Sequence, residues 1–177
     1  MTIEQQIKAV IRDVKDFPKP GIVFKDITPI LKHPQLCNDI ADEYVRRLDG
    51  VKIDEVAAIE SRGFLFGMMI AHKLHVPFVP IRKKGKLPYK TIEQSYNLEY
   101  GQATLEVHAD AIDEGKIVLI HDDLLATGGT IDAAAKLIEK LGAKVGAISF
   151  LVELDFLKGR EKLLPHSNQI ISLVNYQ

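Results

Sequence analysis

Along residues 3–14 the apolar positions Ile3, Ile7, Val10, Ile11 and Val14 fall at helical spacing, and Phe17, Pro18 and Pro20-Gly21 then end the pattern. A short opening helix is predicted there. The next stretch, FPKPGIVFKDITPILKHP, holds four prolines in eighteen residues, too many for a helix interior and suited to an extended segment lying over the core as a flap. Helical spacing returns from Leu36 to Leu48. The run EVAAIE behind it is short and rich in Val, Ala and Ile, as buried parallel strands are. Gly63 to Leu74 reads as another helix, and PFVPIR, TLEVH, KIVLI, VGAISFLV and IISLV read as further strands.

Strands that are apolar on both faces and alternate with helices predict an α/β fold, a mainly parallel sheet flanked by helices. Residues 83–102 break the alternation. Gly, Pro, Lys, Tyr and Ser succeed one another there with little periodicity, which reads as a lid, although a β-hairpin is compatible with it. No repeat, low-complexity tract or block of like charge divides the chain, so residues 1–177 are expected to form one domain.

Composition narrows the class of function. Hydrophobic residues at 46%, charged residues at 27% and a net charge of −1 are those of a globular protein with no general attraction for nucleic acid, which favours a small-molecule partner. The single cysteine, Cys37, excludes an internal disulfide and reads as a buried thiol. The N-terminal segment carries both charge signs without a continuous apolar stretch, so a secretory leader is not expected. The longest apolar run, Phe64 to Ala71, is far short of the roughly 20 residues that span a bilayer. A cytoplasmic location is the expectation.

The densest chemical signal is KIVLIHDDLLATGGTIDAAAKLIEKLGA. In a parallel sheet the C-terminal end of a strand faces the ligand crevice, which brings the carboxylates of Asp122 and Asp123 to that rim, where they can hold sugar hydroxyls. Ala126, Thr127, Gly128, Gly129 and Thr130 then allow a tight turn of exposed amides at the positive end of a helix, which suits a phosphate monoester. A lone Gly-Gly pair reads as an ordinary strand-to-helix turn; the acids and the small-residue string together point to a ligand site. Neither a Walker A loop nor a dinucleotide fingerprint is present. Two cationic groups stand at strand ends that face the same rim: Ser61-Arg62-Gly63, and Arg82, Lys83, Lys84 and Lys86 in IRKKGKLP. On their own, the basic run reads equally well as a solvated loop and Arg62 as one half of a surface ion pair. His72 and His75 have no acid or cysteine to complete a metal site, and His121 reads as structural.

Two acids, an apolar pair and ATGGT resemble the signature with which type I phosphoribosyltransferases bind 5-phosphoribosyl-1-pyrophosphate (PRPP). His121 stands where that family more often has an aliphatic or small residue. The resemblance extends in order through DFPKPGIVFKDITPIL, ESRGFLFG, RKKGKLP, SYNLEYG and LVELDFLKGREKL, from about residue 16 to about residue 163, and these strings resemble the adenine-specific branch of the family. It implies a hood formed by about residues 1–34 and part of the C-terminal region, over a core of about 35–177 with a flexible lid at 83–102. It also implies purine salvage: transfer of the phosphoribosyl group to N9 of adenine, giving AMP and pyrophosphate.

By the same resemblance Asp122, Asp123, Ala126, Thr127, Gly128, Gly129 and Thr130 hold the ribose and 5′-phosphate, and Ser61, Arg62, Arg82, Lys83 and Lys86 hold the pyrophosphate. Phe24 stacks on the purine, the backbones of Val23 and Lys25 bond its edge, and Leu154 closes the other side. Glu99, Tyr100 and Arg62 are the implied catalytic residues, with Glu99 facing the imidazole side of the base. Mg²⁺ is implied as an ion held mainly by substrate oxygens and water, and a homodimer is implied as the assembly. Two alternatives stay open: a transferase for another purine, and a PRPP-sensing regulator, which would call for a DNA-binding module.

Overall fold

The structure, a computed structural model, describes residues 1–97 and 101–177. The first helix, α1 (Ile3–Val10), is started by a reciprocal cap in which the Thr2 side chain accepts from the Gln5 amide at 3.2 Å and the Gln5 side chain accepts from the Thr2 amide at 3.0 Å. It stops at Val10, short of the Val14 that the periodicity suggested. Residues beyond it turn into β1 (Arg12–Lys15), which pairs antiparallel with β2 (Val23–Asp26). Long-range pairing overrides local spacing here. Asp13 lies opposite Lys25 and Arg12 opposite Asp26, with ion pairs at 2.7 and 3.7 Å that no helix could form. The proline-rich segment thus contains a strand and then a single-turn 3₁₀ helix over Thr28–Lys32.

Helix α2 (Pro34–Arg47) leads to β3 (Glu55–Ile59), α3 (Gly63–Leu74) and β4 (Phe78–Lys83). The segment read as a lid contains β5 (Thr91–Asn97), paired antiparallel along its length with β6 (Gln102–His108), so the hairpin left open by the sequence is present. Glu99 and Tyr100 lie outside the described residues. The chain continues through β7 (Ile117–Leu125), α4 (Gly129–Lys140), β8 (Lys144–Leu154), the short α5 (Gly159–Leu163) and β9 (Ile170–Tyr176).

Seven strands form one sheet in the order β5-β6-β4-β3-β7-β8-β9, separate from the β1–β2 ribbon. Strands β4, β3, β7, β8 and β9 run parallel, and β6 joins β4 antiparallel. Both faces are buried at the central strands β3 and β7. Val118 and Ile120 pack with α4 residues Ile131, Ala134 and Ile138 on one side. Leu119 between them packs with Tyr44, Phe66 and Ile70 of α2 and α3 on the other. At the seam of β3 and α3 the fit is tight: a Cβ on Gly67 would stand 2.6 Å from the Cβ of Ala58. Among the described residues no helix is long and apolar enough to cross a membrane.

Candidate active site

The C-terminal ends of β3 and β7 lie side by side in the middle of the sheet, and the chain leaves both of them on the same rim. From β3 it passes through Glu60, Ser61 and Arg62 straight into α3. A Cβ on Gly63 would come within 3.0 Å of the Asp122 carboxylate and 3.1 Å of the His121 carbonyl, so the start of α3 rests directly on the acids of β7. Strand β7 does not end at Ile120. It keeps its pairing with β8 as far as Leu125 opposite Glu153, and Asp122 and Asp123 therefore sit inside a strand, fixed by its ladder.

A cleft of about 590 Å³ opens at this rim. Its walls include Ser61 and Arg62, Lys83, Tyr96 of the β5–β6 hairpin, Asp122 and Asp123, and the whole turn from Ala126 to Thr130. Gly128 precedes α4 with φ +79°, a left-handed conformation natural to glycine, and this directs the first amides of the helix into the cleft. Thr130 donates to the Tyr96 hydroxyl at 3.4 Å and Lys140 donates to the Glu93 carbonyl at 3.0 Å, so the hairpin leans on α4 beside the turn.

The electrostatics divide the cleft. Arg62 is ion-paired with Asp123, a residue only 6% exposed, and its guanidinium lies 5.1 Å from the Phe24 ring centre. Burial, joined by the negative charge of Asp123, pushes the Asp122 carboxyl well above the ordinary carboxylate range, and its Oδ1 accepts from the Asp123 amide at 2.8 Å. His121 points away from them: it is fully buried, meets the Ser149 hydroxyl at 2.8 Å and the Tyr44 ring edge-on at 5.2 Å, and burial holds its pKa at about 3. It is a core residue.

Not every expected residue lines the cleft. Arg82 turns to Glu60, donating to Oε2 at 3.0 Å, and to the Lys86 carbonyl at 3.2 Å, while Lys84 pairs with Glu93 at 2.8 Å. Of the five cations read as surrounding one crevice, only Arg62 and Lys83 are in its walls. Val23, Phe24, Lys25 and Leu154 lie outside the walls as well. Phe24 is linked to the cleft through Arg62 and meets Phe17 edge-on at 5.3 Å; the Lys25 ammonium is held by Asp13 and by the Tyr176 ring at 4.1 Å. Leu154 packs against the core.

Two acids were missed in the sequence. Glu60 accepts both from Arg82 and, at 3.0 Å, from the Lys83 amide, which fixes the start of the basic loop. Glu106, 3% exposed, accepts from the Lys86 and Leu87 amides at 2.8 and 2.7 Å. Burial opposes its charge, but the amides of residues 85–87 outweigh burial and lower its pKa. The signal was available: a glutamate in the middle of the apolar strand TLEVH needs a partner.

Comparison with known proteins agrees with this geometry. The Phosphoribosyl transferase domain model matches residues 25–175. An adenine phosphoribosyltransferase of Cytophaga hutchinsonii is 55% identical over 174 residues, covering 98% of this chain and 96% of its own length. The chain belongs to the adenine phosphoribosyltransferase family. The solved structure of the family member from Thermoanaerobacter pseudethanolicus superposes with a TM-score of 0.94 at 53% identity, covering 99% of this chain and 100% of that one. The Saccharomyces cerevisiae family member, solved with adenine and an imino-altritol bisphosphate, superposes with a TM-score of 0.90 at 41% identity, covering 97% and 98% of the two chains.

Proposed function

We propose that the chain transfers the 5-phosphoribosyl group of PRPP to N9 of adenine, releasing AMP and pyrophosphate in purine salvage. The observation that carries this reading is the single cleft that joins a phosphate-sized turn of amides at 126–130, two acids at 122–123 and the cations Arg62 and Lys83. That order suits a 5′-phosphate, a ribose and a pyrophosphate.

In the reaction N9 attacks C1 of the ribose, the bond from C1 to the pyrophosphate oxygen breaks with its electron pair, and the N9 proton leaves the base. Positive charge develops on the ribose as negative charge departs. Stabilising both is the main catalytic task. The amides of Ala126 to Thr130 anchor the 5′-phosphate. Asp123 and Asp122 hold the ribose hydroxyls, and the negative charge of Asp123 favours the cationic ribose. Ser61, Arg62 and Lys83 receive the pyrophosphate; Arg82 and Lys86 reach it through movement of the basic loop, since Glu60 and Glu106 now hold that loop back. Phe24 stacks on adenine, with the Val23 and Lys25 backbones on its edge and Leu154 opposite. The side chain of Lys25 is engaged elsewhere, which leaves backbone readout as its contribution. Glu99, on the imidazole side of the base, assists the departure of the N9 proton, and Tyr100 shields the reacting centre when residues 83–102 close and exclude water.

The cleft offers carboxylate, hydroxyl and backbone oxygens, without imidazole or sulfur among its described walls, which fits Mg²⁺ carried by the substrate. Asp122 and Asp123 would be the acidic partners of its shell, and when bound it offsets charge on the leaving pyrophosphate. A homodimer in the cytoplasm completes the reading. The test is PRPP- and Mg²⁺-dependent conversion of adenine to AMP, with hypoxanthine, guanine and xanthine alongside. Turnover of adenine alone is the expected result; turnover of another base instead overturns the assignment of the hood.

A further inference from the structure

Behind the phosphate turn lies a set of polar groups outside the cleft. Arg160, in α5, donates from Nε to Glu153 Oε1 at 3.0 Å and from Nη2 to Glu153 Oε2. It also donates from Nη1 to the Ile170 carbonyl at 2.9 Å and from Nη2 to the Ser172 hydroxyl at 3.3 Å. Ser172 in turn donates to Glu153. One guanidinium therefore ties α5 to the C-terminal end of β8 and to β9. Glu153 is 3% exposed and pairs across the sheet with Leu125, the residue that enters the phosphate turn.

The residue before Arg160 shows what this anchoring holds in place. A Cβ on Gly159 would overlap the Ala126 carbonyl oxygen, and a Cβ on Gly128 would stand 2.7 Å from the Gly159 carbonyl oxygen. The backbone of Gly159 is thus the back wall of residues 126–128, closely approached at Ala126 and at Gly128. Leu163, at the far end of α5, is fully buried in the same core as Ile131 of α4, so α5 is held from both ends.

We propose that Arg160, acting with Glu153, is a positioning residue for the 5′-phosphate of PRPP. By clamping α5 to β8 and β9 it keeps the Gly159 backbone pressed on the turn and so keeps the amides of residues 126–130 aimed at the phosphate. The inference rests on the reading of that turn as the 5′-phosphate cradle. Arg160 is not itself among the walls of the cleft, so its effect passes through the turn. An arginine is required because the planar fork meets both carboxylate oxygens while a third N–H reaches Ile170; a lysine ammonium cannot span all three.

The experiment compares the full-length wild type with Arg160→Lys, Arg160→Met and the double variant Glu153→Gln/Arg160→Met. Kinetics are run with PRPP and adenine varied separately, and ribose 5-phosphate binding is measured by calorimetry. In Arg160→Met, KM for PRPP and Kd for ribose 5-phosphate rise about tenfold, KM for adenine stays within about twofold, and Arg160→Lys falls between. A folded variant with a lower Tm but unchanged PRPP KM and ribose 5-phosphate affinity overturns the proposal, since a purely structural role predicts that result. If Arg160→Met does not fold, the double variant, which leaves no unpaired buried carboxylate, reads the same split. Wild type that makes no AMP overturns the transferase reading, while the ribose 5-phosphate comparison still decides the role of Arg160.

Discussion

Gly128 and Gly129 are neighbours in one turn and should respond in opposite ways to the same added methyl. At Gly128 the backbone has φ +79°, where an L-residue is strained by about 1–2 kcal/mol. A Cβ there would also stand 2.7 Å from the Gly159 carbonyl oxygen, so either the turn or α5 must give way. Adding about 1 kcal/mol for that displacement puts Gly128→Ala at roughly 2–3 kcal/mol of lost stability. For a chain of this size that lowers Tm by roughly 4–12 °C. At Gly129 the nearest atoms to a new Cβ are Tyr96 Cδ2 at 3.7 Å and the Asn97 carbonyl oxygen at 3.8 Å, which are ordinary contacts. Because Gly129 is the first residue of α4, alanine there should leave stability unchanged or raise it by about 0.5 kcal/mol. Urea unfolding of the two variants beside wild type measures both values, and ribose 5-phosphate binding reports the cradle. Equal destabilisation by the two substitutions, or none at Gly128, would refute the back-wall geometry.

Arg62→Met leaves Asp123 without its ion pair in a largely buried position, and should lower kcat for AMP formation about a hundredfold while destabilising the fold by only about 1–2 kcal/mol, because the Arg62 side chain is itself 40% exposed. Equal activity of Arg62→Met and wild type at saturating substrate would remove Arg62 from the reaction. For His121 the sign is set by its depressed pKa. The folded form holds the ring neutral down to about 3, whereas the unfolded chain binds a proton near pH 6.5, so the stability this provides is full above about 6.5 and is lost as pH falls toward 3. His121→Leu should abolish that dependence. Between pH 7.5 and 4.5 the difference in unfolding free energy between wild type and variant should change by about 3 kcal/mol in the variant's favour, and parallel pH profiles would contradict a buried neutral imidazole.

Much of the sheet was legible because burial on both faces forces runs of Val, Ile and Ala, as in EVAAI and KIVLI, and α3 begins and ends where the sequence suggested. The elements that escaped are those whose existence depends on a distant partner. Strand β1 continues a helical spacing and becomes a strand only opposite β2. Strand β5, TIEQSYN, has no apolar run because one of its faces is largely exposed, and only its pairing with β6 defines it. The same distinction holds in the site. The phosphate turn and its acids are one local string, and Arg62 follows directly from the end of a strand. The destinations of Arg82 and Lys84, and the clamp between Glu153 and Arg160, depend on which strand ends the fold places side by side. Spacing along the chain carries no record of that.

The phosphate turn is continuous in sequence, yet its shape depends on residues that come much later. Ala126 and Gly128 are backed by Gly159, and α5 is held in turn by Ile170 and Ser172 of β9, the edge strand opposite the hairpin. A chain in which β9 is undocked would therefore keep the acids of β7 in register while the turn lost its backing, and with it affinity for a ribose phosphate. Ribose phosphate binding should consequently report on the docking of β9, a strand that contributes no residue to the walls of the cleft.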